Sequence, residues 1–154
     1  MNAERTGMMR SRERGVTLLE LMAVVLIVGI LASIAIPSYR TYLLRAQRTD
    51  GTSALLRVAA AQEKFYLQNN RYATNDELDD APPAGLGIPA TEHGYYTVST
   101  ASVDNTLDFT ATAVTVAGGA QAKDVQCVTF TINQAGTRTA LDSANAVNTN
   151  NCWR

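Results

Sequence analysis

The sequence predicts an α+β protein, in which a long N-terminal α-helix packs on a small antiparallel β-sheet and a C-terminal loop lies between two cysteines. Three observations predict it. Residues 16–36 form an apolar run broken by one charge, Glu20. Apolar side chains then recur at helical spacing through Leu55, Val58, Ala59, Phe65 and Tyr66. Beyond residue 94, short stretches rich in Thr, Val, Tyr and Phe are separated by Gly and Asn, the pattern of strands and turns.

A length of 154 residues suits one domain with an appendage. The net charge of −1 hides an asymmetry. Arg5, Arg10, Arg12 and Arg14 stand before the apolar run against Glu4 and Glu13, and without this segment nine basic residues face twelve acidic ones, a net of −3. After Arg71, Lys123, Arg138 and Arg154 face nine acids, a net of −6. Such a surface repels phosphate and disfavours nucleic acid as a partner.

The apolar run supports three readings. As a helix its twenty-one residues span about 32 Å, the thickness of a bilayer core. The arginines before it would keep that end in the cytoplasm, giving a single anchor with the C-terminal part outside. The second reading is a secretory signal, with small residues at Ser33 and Ala35. The run exceeds the usual apolar region of such signals, which is about 7–15 residues. Neither reading uses Glu20, although a charge at the centre of a membrane helix costs about 2.5–3.5 kcal/mol. The third does. A cut after Gly15 makes Val16 the new N-terminus and Glu20 the fifth residue, about one turn away. A free α-amine is cationic near pH 7, so the cut creates a partner for the buried carboxylate, most usefully on a neighbouring copy.

The helix is expected to run from about Val16 to about Leu67, bent at Pro37 and near Gly51. Tyr39, Leu43 and Ala46 extend its apolar face, and Arg40, Arg45, Arg48, Arg57 and Lys64 supply the polar one. Asn69–Thr74 ends it, and three prolines and three glycines between Pro82 and Gly94 mark residues 75–94 as a loop. Strands are expected at Gly94–Ala101, Thr106–Val114 and Val125–Asn133, with a fourth at Thr137–Leu141, a meander over residues 94–141. In the third, Val128, Phe130 and Ile132 share the buried face and Cys127, Thr129 and Thr131 the other. Cys127 and Cys152 have neither a metal-site nor a redox spacing. They are either two buried thiols or, if the head is exported, a disulfide closing residues 127–152, worth about 3 kcal/mol.

Nothing points to catalysis, a metal or a cofactor. His93 stands alone in a Pro/Gly loop, Asp79 and Asp80 lack further ligands nearby, and Gly85-Leu86-Gly87 opens no helix as a phosphate cradle requires.

RGVTLLELMAVVLIVGILASIAIPSY, residues 14–39, resembles the N-terminal signature of type IV pilins, the class III signal. Its marks are a short basic leader, a Gly cut site, an apolar helix and Glu at the fifth mature position. The usual first residue is Phe, and here it is Val16. A translation start at Met8 would give a leader of the usual type IVa length. AAAQEKFYLQNNRYAT and CVTFTINQAG with a closing Cys-Trp resemble minor pilins of the PilE kind.

The resemblance implies a cleaved leader at 1–15, a transmembrane and filament-core helix half at 16–37, and a periplasmic or extracellular head at 38–154. It implies cleavage between Gly15 and Val16 by the prepilin peptidase/methyltransferase, N-methylation of Val16, an assembly role for Glu20, a kink at Pro37 and a Cys127–Cys152 disulfide. Residues 75–94 become the often exposed αβ-loop. The implied partners are other pilin subunits, the inner-membrane assembly machinery and, before assembly, the membrane itself. The implied function is a structural subunit of the pilus, a minor pilin ahead of a major one, serving motility, adhesion or DNA uptake. A DNA-binding pilin would need Lys123, Arg138 and Arg154 to cluster, and a type II secretion pseudopilin shares only the N-terminal features.

Overall fold

The computed structural model describes residues 15–153. The leader, apart from Gly15, lies outside the described residues, as do the Met8 start and Arg154. The chain divides into two compact units, Met1–Tyr39 and Arg40–Arg154.

Helix α1 spans Leu18–Asn69 and continues through Pro37 and Gly51. It begins two residues later than expected because Thr17 stands where an N-cap stands: the Glu20 amide donates to Thr17 Oγ1 at 3.2 Å and the Leu21 amide to its carbonyl at 3.1 Å. It ends two residues late, where Asn70 takes a left-handed conformation (φ 53°) and its amide closes on Tyr66 O at 2.8 Å. In the first unit nearly every side chain of the apolar run is exposed, Leu19 and Ile34 among them. The stretch is long and apolar enough to cross a membrane.

In the second unit a four-stranded antiparallel meander, β1 (Tyr96–Ala101), β2 (Thr110–Thr115), β3 (Thr129–Asn133) and β4 (Arg138–Leu141), lies in sequence order. Central pairs such as Val98 with Ala113 and Ala113 with Phe130 set its register. Alternation puts Tyr96, Val98, Phe130 and Ile132 on the inner face, where with Ala54, Leu55, Val58 and Phe65 of α1 they form the core. A short helix α2, Thr149–Cys152, brings the second cysteine back to the sheet.

Several expectations are corrected. Arg48, assigned to the polar face, is buried, as are Asp50, Gly51 and Gln62. They fall at the helical spacing of the apolar stripe, and partners from other segments make their burial tolerable. Leu43 and Tyr39, assigned to the buried face, are 37% and 62% exposed. Strand β2 starts at Thr110 instead of Thr106, since Asp104 winds the preceding residues into a turn, accepting from Thr106 N at 2.9 Å and Thr106 Oγ1 at 2.6 Å. Strand β3 starts at Thr129 instead of Val125. Cys127 lies outside that strand, so the outward position assigned to it by alternation does not hold, and it is fully buried.

Residues 75–94 are also more structured than their composition suggests. Leu78, Leu86 and Thr91 are buried, and the amides of Leu86, Gly87 and Ile88 bond back to Glu77, Asp80 and Leu78 at 2.8–2.9 Å. Gly85 permits this: a Cβ there would sit 2.2 Å from the Glu77 carbonyl oxygen.

Candidate functional site

The assembly residues lie at the start of α1. Gly15 and Val16 are exposed ahead of the helix, and Glu20 occupies its first turn. Thr17-x-x-Glu20 has the spacing of a capping box, and a carboxylate in a first helical turn is favoured by the helix dipole. This local role for Thr17 was readable from the spacing. Among the described residues Glu20 has no cationic partner. Pro37 sits inside α1 and offers no backbone donor there.

Cys127 and Cys152 form a disulfide, with Cα atoms 5.7 Å apart and both residues buried. The choice between thiols and a bridge is thereby settled. Around the bridge the structure builds a polar latch absent from the sequence reading. Arg48 of α1 grips Asp124 with two parallel bonds, Nε to Oδ2 at 2.6 Å and Nη2 to Oδ1 at 2.9 Å. Asp124 also accepts from Gln121 Nε2 at 2.9 Å, and the same Gln121 nitrogen donates to the Leu44 carbonyl at 3.1 Å. Arg48 Nη1 reaches the Asn151 carbonyl at 3.3 Å. One arginine thus ties the helix to both arms of the bridged segment. Trp153 completes the closure: it meets Phe130 edge-on at 5.8 Å, donates Nε1–H to Thr139 O at 2.9 Å, and lies under the Arg138 guanidinium.

A second latch turns the chain from helix to loop. Gln62 is fully buried and forms a reciprocal pair with Ala73: Ala73 N donates to Oε1 at 2.7 Å, and Nε2 donates to Ala73 O at 2.9 Å. Arg71 forks onto Glu77 at 2.6 and 2.7 Å, which holds the Glu77 carboxyl down at about 2 against the opposing effect of burial. Tyr72 packs between Tyr66 and Phe109. The QE…NNRYA run is therefore a corner, each of its distinctive residues closing a contact.

The remaining candidates are dispersed. Asp79 and Asp80 are exposed in the loop. His93 stacks on Tyr95, and its backbone amide and Nδ1 lie 3.0 and 3.2 Å from the buried Asp50. Burial acts to raise the Asp50 pKa, but bonds from Thr91, His93 and Tyr95 outweigh it and the pKa is lowered. Among the described residues no three His, Cys, Asp or Glu side chains gather as a metal site. Lys123 and Arg138 lie on different elements, Arg138 engaged with Trp153.

Residues 37–131 match the family model described as type IV minor pilin ComP, DNA uptake sequence receptor, and residues 10–36 match the prokaryotic N-terminal methylation motif. The chain belongs to the type IV pilin family. The type IV major pilin PilA of Myxococcus xanthus is 32% identical over 144 residues, 93% of this chain and 60% of that protein. The fimbrial protein EcpC of Eikenella corrodens is 32% identical over 120 residues, covering 75% of this chain and 74% of its own. A solved type IV pilin from Shewanella oneidensis aligns at 22% identity with a TM-score of 0.48, over 72% of this chain and 98% of that one. This pilin thus spans about three-fifths of the length of its Myxococcus relative.

Proposed function

We propose that this pilin is a minor structural subunit of a type IV pilus. It is cleaved after Gly15, methylated on the Val16 amine, held in the inner membrane with its head in the periplasm, and drawn into the filament by pairing of Glu20 with the amine of a neighbour. The observation that carries the minor assignment is the family match across residues 37–131, which contain the helix–loop corner and the Arg48–Asp124 latch. The methylation-motif match at residues 10–36 supports the processing steps. The exposed apolar helix supports the assembly route, because bundling with other subunits as it leaves lipid keeps that surface from water. The work is structural and needs no catalytic group of the chain itself.

The name of the matching family favours a second reading, a receptor for DNA within the pilus. The charge opposes it: the stretch after Arg71 is net −6, and one of its three basic residues, Arg138, is engaged with Trp153.

Quantitative mass spectrometry of sheared pili tests the proposal. The expected result is a peptide beginning at methylated Val16, present at a small fraction of the main subunit. The same peptide as the dominant species would make this the major pilin. Its absence from pili would overturn the assignment and favour a pseudopilin.

A further inference from the structure

A polar cleft of about 420 Å³ opens on the head between α1 and the bridged C-terminal segment. One wall is a single face of α1, Arg45, Thr49 and Thr52, with Arg48 at its floor; the other is Gln126 and Asn151 beside Cys152. Among the described residues no acidic side chain lines it. The charge of Arg48 is already neutralised by Asp124, so Arg45, exposed and outside any ion pair among the described residues, leaves the cleft net cationic. Thr49 offers a hydroxyl donor. Gln126, whose Oε1 faces Arg48 Nη2 at 3.5 Å, keeps its amide Nε2 as another. Cationic and neutral donors converging on one pocket suit a single phosphate-type anion.

The surrounding sequence says where that anion comes from. Arg45 stands nine residues after Ile36, the end of the apolar run. Between them lie Tyr39 and Tyr42, 62% and 68% exposed, and Arg40. No acid occurs from Leu21 to Thr49. Exposed tyrosines and arginines directly after a membrane span are the composition of a headgroup layer.

We propose that, in the membrane-anchored subunit, this cleft holds the phosphodiester headgroup of an anionic phospholipid, with Arg45 as its principal cation. The contact would hold the head against the leaflet on its side of the membrane until the subunit leaves the bilayer. The inference rests on the membrane-anchored stage of the proposed function and not on the abundance of the chain in pili, so the two can fail separately.

The test uses the full chain in phosphatidylcholine nanodiscs, titrated separately with short-chain phosphatidylglycerol, short-chain phosphatidylcholine, inorganic phosphate and a short DNA duplex, while amide resonances are followed. Phosphatidylglycerol alone is expected to shift Thr49, Thr52, Gln126 and Asn151. Arg45→Gln should weaken that response about fivefold, and Arg57→Gln, exposed elsewhere on α1, should leave it unchanged. An equal response to phosphatidylcholine or to inorganic phosphate would overturn the assignment to an anionic lipid. So would a response to DNA in place of lipid, no response at all, or indifference to Arg45→Gln.

Discussion

Arg48 ties helix α1 to Asp124 and to the Asn151 carbonyl. Its side chain is 9% exposed and that of Asp124 2%, so each charge depends on the other for compensation. Removing one partner strands the other: Arg48→Met is expected to destabilise the chain by about 3–5 kcal/mol. Replacing both, Arg48→Met with Asp124→Leu, is expected to recover much of that loss, because an apolar pair of similar size carries no desolvation cost. Denaturant unfolding in detergent, followed by the fluorescence of the one tryptophan, Trp153, measures Arg48→Met, Asp124→Leu and the double variant. A double variant as unstable as the sum of the singles would mean that the latch is not a pair. Gly51 belongs to the same neighbourhood. A Cβ there would approach the Tyr96 ring to 3.0 Å, which explains a helix-weakening residue in mid-helix as the means by which strand and helix come close.

At the scale of elements, the corner after α1 fixes where the loop begins. Gln62 pairs reciprocally with the backbone of Ala73 and also donates to Thr100 Oγ1 at 3.3 Å, and Arg71–Glu77 bolts the following turn. The Glu77 carboxyl falls from an ordinary 4.5 to about 2 in the folded chain. A depressed carboxyl contributes stability above its unfolded pKa and loses it as pH falls through the folded one. The corner is therefore expected to weaken between pH 4.5 and about 2. Hydrogen exchange at the amides of Leu86 and Ile88 across that range would report it. Glu77→Gln should remove the pH dependence, and added salt should reduce it because the pair is partly exposed. An unchanged acid response in Glu77→Gln would assign the effect to another carboxylate.

For the whole molecule, what was legible in the sequence was local or periodic. The apolar run, the helical stripe from Leu55 to Phe65 and the alternation of Phe130 and Ile132 each stand within a short window, and each describes the structure correctly. What was missed depends on contacts between distant segments. Arg48 and Asp124 are 76 residues apart, so no local pattern pairs them, and a charge on an apolar face reads as a solvated residue unless its partner is known. Cys127 was misplaced because alternation was extended past the point where the chain leaves the ladder. The loop looked unstructured because composition counts its prolines and glycines and does not see Leu78 and Leu86 beneath them.

The assembly role proposed for Glu20, in place of an anchoring one, rests on its position in the helix. The structure places Glu20 in the first turn of α1 with its amide on Thr17 and no cationic partner among the described residues. The most direct test is the amount of the Glu20→Ala chain in sheared pili relative to the amount in membranes. Normal membrane levels are expected with a fall in pili of about tenfold or more, the loss of one charge pair in apolar surroundings. Incorporation of Glu20→Ala at the level of the unaltered chain would contradict that role.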